Sequence, residues 1–155
     1  MVDEECLLEA LANVGFTADK IEVHSEPVRL EGYEGREREQ VAHVVIRRNH
    51  VGGSSNDIGF LKTPTGYQAF VSGFDAGRGH GQPWLQAVQK HYTARFEAKV
   101  ARLAEAERRR LEEERRQLVE SQRQVIHEKA RKMGYRVEEH REGDTVRLVL
   151  LKRVY

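Results

Sequence analysis

The chain contains one cysteine, Cys6, so it can form no disulfide of its own. Beside Leu7 and Leu8 that thiol reads as a small core residue rather than a reactive group. With no disulfide framework, a reducing, cytoplasmic location is the expectation. No apolar run approaches the roughly 20 residues that a membrane-spanning helix needs. The opening MVDEECLLEA is acidic and then amphipathic, unlike the basic-then-apolar start of a signal peptide. Net charge is nearly absent at +1, which leaves no whole-protein field calling for nucleic acid or an anionic membrane. Proline is scarce, and neither Pro nor Gly occurs between Trp84 and Met133, so nothing there breaks a helix.

Charge of both signs, by contrast, is abundant: 33% of the 155 residues are Asp, Glu, Lys or Arg, against about 25% in ordinary domains. It is densest in EAERRRLEEERR, residues 105 to 116. The remainder reads as a small globular domain of a length that can bury a core.

EECLLEALAN, residues 4 to 13, places Leu7, Leu8 and Leu11 at helical spacing, and Gly15 follows as a stop. Pro27 demotes IEVHSEPVRL to an edge strand or an irregular lead-in. VAHVVIRR, residues 41 to 48, is β-branched and half alternating, the strongest strand signal in the chain. NHVGGSSN reads as a loop by composition. Ile58, Phe60, Tyr67, Ala69 and Val71 then form two apolar sets around the turn TPTG, which is a hairpin pattern. DAGRGHGQP reads as a flexible loop, with Pro83 where a helix can begin. After Gly134 a second hairpin closes the chain through Tyr155, with REGD as its turn and Val146, Leu148 and Leu150 alternating inward. Strands in runs, with helices segregated from them, predict an α+β fold on a small antiparallel sheet, with one short helix and one long charged helix.

The uninterrupted segment predicts a helix of roughly 75 Å, at about 1.5 Å per residue. Leu85, Val88, Tyr92, Phe96, Val100 and Leu103 make an apolar stripe expected to pack on the sheet. Val125, Ile126, Ala130 and Met133 make a second, shorter face. Between them, glutamates and arginines four residues apart can hold a helix in water, each pair contributing about 0.2–0.5 kcal/mol. A solvated rod is one reading of this middle. The other is a partner-facing seam, because Ala104, Leu111, Leu118 and Val125 recur every seven residues, the interval of one coiled-coil position. The companion position holds Glu107, Glu114, Ser121 and Glu128, which argues against a tight two-stranded core and leaves a weak or antiparallel pairing. A nucleic-acid stripe along RRR is disfavoured, since the interleaved glutamates repel phosphate.

The residues that could carry chemistry form no recognisable constellation. The seven histidines show no HxxxH or HExxH spacing and have no cysteine partners, so no metal site is expected. His80 in GRGHG is the least implausible ligand, and His43 reads as a satisfied sheet residue. The Gly-rich stretches 49–57 and 74–83 lack the P-loop and dinucleotide patterns. Asp57 and Asp75 would pair if these loops converged, although a turn bond for Asp57 and a helix cap for Asp75 are the simpler uses. No catalytic residue and no cofactor is assigned; Asp57, Arg78 and His80 are the weak candidates for small-molecule binding.

Taken in order, GYEG (32–35), DIGF (57–60), the GY of Gly66 and Tyr67, and the closing GYRV and TVRLVL resemble the family called domain of unknown function twelve-fifty-seven. That family includes the hypothetical chloroplast reading frame thirty-five proteins, and the likeness spans about two-thirds of the chain. Two departures stand out. Family members begin with an additional strand, and they carry an acidic residue near the place of Ser72, where Asp75 follows three residues on. The resemblance implies a fold without implying an activity or cofactor. It also implies that about thirty residues, near 95 to 124, are inserted between the segments matching Tyr92 and Gly134. Residues 1–92 and 126–155 would then form one head, with 93–125 an arm.

An unbroken insertion would carry the last hairpin roughly 40–45 Å from the sheet it should join. A pairing with another subunit's sheet, and so an intertwined homo-oligomer, is the expectation. The function class predicted is a non-enzymatic assembly or adaptor protein, acting on itself or within a larger protein complex, with no membrane partner and no nucleic acid expected. A small-molecule or cofactor-binding domain, or an enzyme, built on the two Gly-rich loops is the alternative.

Overall fold

The computed structural model describes residues 1–152; the last three residues of the predicted closing hairpin lie outside the described residues. The packing divides the chain into two units, Met1–Ala101 and Arg102–Tyr155. The fold is α+β, as the pattern predicts.

In the first unit, helix α1 (Glu4–Asn13) starts where the Asp3 side chain accepts the Cys6 N–H, a side-chain N-cap. Strands β1 (Ile21–Glu31), β2 (Glu37–Ile46), β3 (Ile58–Thr63) and β4 (Gly66–Phe70) form one antiparallel sheet in that order. Strand β1 is an edge, and its register shifts between Val23 and Val28, the segment that contains Pro27. Proline has no N–H for a ladder, and this is where a strand tolerates it. The hairpin of β3 and β4 pairs Phe60 with Ala69 and Lys62 with Tyr67, across the predicted turn.

Two stretches read as loops are partly helical. Arg48–Val51 is a single turn, α2, and Gly73–Asp75 is another, α3, which runs on into a wider π-type turn at Ala76–His80. Glycine content suggested irregular chain, but Ser72 caps α3 by accepting the Asp75 N–H and sets the turn locally. The cap is therefore Ser72, not Asp75.

One face of the sheet carries the main core. Leu7, Ala10 and Leu11 of α1 pack with Val44, Ile46, Ile58 and Phe60 of the strands, and with Val88 and Tyr92 of the long helix α4 (Gln82–Lys132). Cys6 is buried in the same cluster, and burial pushes its thiol pKa up, away from reactivity. The opposite face holds a smaller cluster of Leu30, Ala42 and Val45. The β2–β3 ladder ends at Val44 and Phe60. Beyond it, the His43 ring accepts the Lys62 N–H through Nδ1 at 3.1 Å, so that histidine stands in for a backbone acceptor.

Helix α4 runs for 51 residues without a break, beginning in the turn that contains Pro83. Its apolar contact with the first unit's core extends through Trp84, Val88, Tyr92 and Phe96. Val100 and Leu103 were expected to continue that contact, but they are exposed, because the period of a stripe does not say where its partner surface ends.

In the second unit α4 stops at Gly134, whose φ of 79° is the left-handed conformation that glycine adopts without strain. Strands β5 (Tyr135–Glu142) and β6 (Thr145–Lys152) then pair antiparallel as a separate two-stranded sheet. Leu150, expected to face inward, is exposed, while Val146 and Leu148 are partly covered. A two-stranded sheet presents one narrow face, too little to bury every alternate side chain.

Candidate functional site

Three places could carry function: the loop cluster of the first unit, the charged middle of α4, and the hairpin. In the loop cluster the two aspartates singled out from the sequence are both fully buried. Asp57 accepts the backbone N–H groups of Glu31 and Arg48, each at 2.7 Å, and the Arg47 guanidinium at 2.8 Å. Its own N–H donates to the Glu31 carbonyl at 2.9 Å. One carboxylate thus ties the end of β1 to the start of α2 and the entry to β3. Arg47 also bridges to Glu22 at 2.9 Å, and these bonds hold the guanidinium pKa above its ordinary value and that of Glu22 below its own.

Asp75 serves a parallel purpose on the other loop. Its Oδ2 accepts the backbone N–H and the side-chain amide of Asn56, both at 3.1 Å, and the Ser72 hydroxyl at 2.5 Å. Burial pushes this carboxyl up in pKa, and the bonds from Ser72 and Asn56 outweigh burial and hold it below the usual carboxylate range. Its Oδ1 is buried without a hydrogen-bond partner.

The loops do converge, with Asn56 between them: its Oδ1 accepts the Tyr33 N–H at 3.0 Å while its amides reach Asp75. The two carboxylates nonetheless have different partners. The other weak candidates lie elsewhere. The Arg78 guanidinium sits 4.3 Å from the centre of the Phe74 ring, and His80 packs against Phe16 and Trp84 at 5.8 and 5.3 Å between ring centres. Asp57, Arg78 and His80 therefore have separate partners. Among the described residues, no group of three or more His, Cys, Asp and Glu side chains could hold a metal.

The charged middle of α4 is held by its own side chains. Glu105 pairs with Arg108 and Arg109, and Arg110 pairs with Glu107 and Glu114 at 2.6 and 2.8 Å. Three-residue and four-residue spacings share the work, where the sequence reading relied on fours alone. The heptad positions stand out from this polar surface: Leu111, Leu118 and Val125 are 52%, 59% and 47% exposed, and Ala104 is exposed with them.

The hairpin rests on the end of α4 through Glu139. Its Oε1 accepts from Arg123 and meets His127 Nε2, each at 2.5 Å. Arg123 also holds Glu120 at 2.7 Å. These bonds raise the Arg123 pKa and lower those of both glutamates. Apolar burial here is slight: among the described residues of the second unit only Ala130 is buried, and Met133, Leu150 and Leu151 are exposed. Sequence reasoning missed the Arg123–His127–Glu139 contact; the four-residue spacing on the helix was visible, but its acceptor on β5 was not.

No helix among the described residues is long and apolar enough to cross a membrane. Compared with known proteins, the chain matches no family model, no curated protein and no solved structure.

Proposed function

We propose that this chain is a non-enzymatic assembly protein that associates with further copies of itself through α4 and the closing hairpin. The observation that carries the reading is the row of half-exposed Leu111, Leu118 and Val125 at seven-residue intervals on one uninterrupted helix. A monomer has little reason to repeat large apolar side chains along a surface otherwise occupied by ion pairs, and a second helix would cover them. The glutamates at the companion position keep such a pairing weak, or favour an antiparallel arrangement in which arginines of one copy meet them.

The hairpin supports the same reading. A two-stranded sheet with so little buried around it is marginal alone, and β5 and β6 each leave one strand edge unpaired within their own sheet. In the intertwined form, the hairpin of one copy adds to the four-stranded sheet of another. Strand β4 is the better edge for this, since β1 is interrupted by register shifts around Pro27. The Met1 carbonyl accepts the Tyr67 N–H at the start of β4, so the pairing would use the strand beyond Tyr67. We also propose that the resemblance to the domain of unknown function twelve-fifty-seven family reflects shared ancestry of this sheet. The ordered motifs support that kinship, which carries no activity with it.

The test is the mass of the full chain in solution by light scattering. A dimer or larger closed assembly of the 17.9 kDa chain is expected. A monomer at every concentration up to the solubility limit refutes the proposal.

A further inference from the structure

Independently of self-association, the second unit contains a groove whose chemistry the assembly reading does not use. It has a volume of about 600 Å³ and lies between the end of α4 and β5. Arg123, His127 and Arg131 line one side at four-residue intervals, which places them on one helix face. Arg136 and Tyr135 line the other, brought back beside the helix by the turn at Gly134.

The cations there are unequal. Arg123 and His127 are engaged by Glu139, whereas Arg131 and Arg136 make no ion pair among the described residues. The groove's one acidic side chain, Glu128, has Lys132 at 3.5 Å. The lining itself holds three arginines against that one glutamate, and residues 123 to 152 as a whole, groove included, contain eight Lys and Arg against five Asp and Glu. The balance of signs that disfavours phosphate along residues 105 to 116 is therefore absent here.

We infer that this groove binds a short stretch of single-stranded nucleic acid, with phosphates on Arg131 and Arg136 and a base against Tyr135. A guanidinium presents a planar fork that matches two phosphate oxygens, and among the described residues two such forks have no carboxylate. An aromatic ring beside them supplies a stacking platform for any base. An open groove admits a chain that enters and leaves, where an enclosed pocket would select a small molecule. An acidic peptide would satisfy the arginines but leave the Tyr135 ring without a role.

The experiment uses the full chain and a fluorescein-labelled oligothymidylate of roughly 12 nucleotides, read by fluorescence anisotropy. Saturable binding is expected at about 50 mM salt, weakening about tenfold by about 200 mM, as two or three phosphate contacts require. Arg131→Glu with Arg136→Glu should weaken it by more than about tenfold. Tyr135→Leu should weaken the oligonucleotide by about fivefold or more while leaving inorganic polyphosphate binding unchanged. Nuclear magnetic resonance titration of the unaltered chain gives a second readout that no folding defect can confuse: shifts should concentrate at residues 131–137. Absence of binding at low salt overturns the inference, as do shifts that map elsewhere or indifference to the charge reversal. Displacement of the oligonucleotide by polyglutamate at equal charge concentration also overturns it, and assigns the groove to an acidic protein segment.

Discussion

The Arg47 guanidinium closes on the fully buried Asp57 carboxylate at 2.8 Å, and the same guanidinium reaches Glu22 on β1. Removing the cation would leave a buried charge with only backbone donors. Arg47→Met is expected to cost about 3–5 kcal/mol in urea unfolding. The control Arg115→Met, on the exposed surface of α4, should stay within about 0.5 kcal/mol. Equal effects of the two would show that the Asp57 staple does not hold the loops.

Gly59 on β3 lies where its neighbours leave no room for a side chain. A Cβ there would come within 2.7 Å of the Ala42 Cβ and 2.8 Å of both Leu30 methyls. Gly59→Ala should destabilise the chain by about 1–3 kcal/mol. The double variant with Leu30→Ala should cost less than the two single changes added together, since the cavity of one receives the methyl of the other. Simple additivity in denaturant melts would contradict this packing.

Acid sensitivity has an assignable source at the start of α1. The Lys99 ammonium, 2.8 Å from Asp3, leads the effects that hold its carboxyl at about 2 against an ordinary 3.8; the Cys6 N–H adds to it. A depressed carboxyl contributes stability that is fully present above its unfolded value and lost as pH falls through the folded one. Stability should therefore decline between about pH 4 and pH 2 through this pair. In Lys99→Met that decline should be shallower in pH-dependent unfolding, and an unchanged slope would remove Asp3 as its source.

Among the described residues, Glu139 is the one carboxylate that joins the hairpin to α4 through both Arg123 and His127. With so little apolar burial in that unit, Glu139→Gln should speed amide exchange across Tyr135–Glu142 by about tenfold or more. Exchange in β2 and β3 should be unchanged. Uniform acceleration through both units would mean that the hairpin does not open as a local event.

Much of the fold was legible because its signals are local. Alternation of Ile58, Phe60, Tyr67 and Ala69 around a Pro-Gly turn specifies the β3–β4 hairpin, and the absence of breakers specifies α4. Pro27 marks the irregular edge strand for the same reason. The rest depended on distant partners. Asp57 meets Arg47 only because β2 turns into α2, and nothing in its own neighbourhood announces the Glu31 N–H it accepts. The glycines of 74–83 suggested a flexible loop, yet a single serine cap just before them fixes a helical turn at its start. Val100 and Leu103 share the period of the packed stripe, but the surface they would need ends before them. The basic groove was equally hidden, because Arg136 joins Arg131 only through the turn at Gly134.

The central claim is that the exposed heptad row of α4 is a seam between copies, and comparing the solution mass of the unaltered chain with that of Leu111→Glu combined with Leu118→Glu tests it most directly. Both positions are exposed in the single chain, so the substitutions should leave its folding and helicity intact. The account predicts an assembly of at least two 17.9 kDa chains for the unaltered protein and a shift toward the monomer for the double variant. An identical mass for both, with circular dichroism showing both folded, would contradict it.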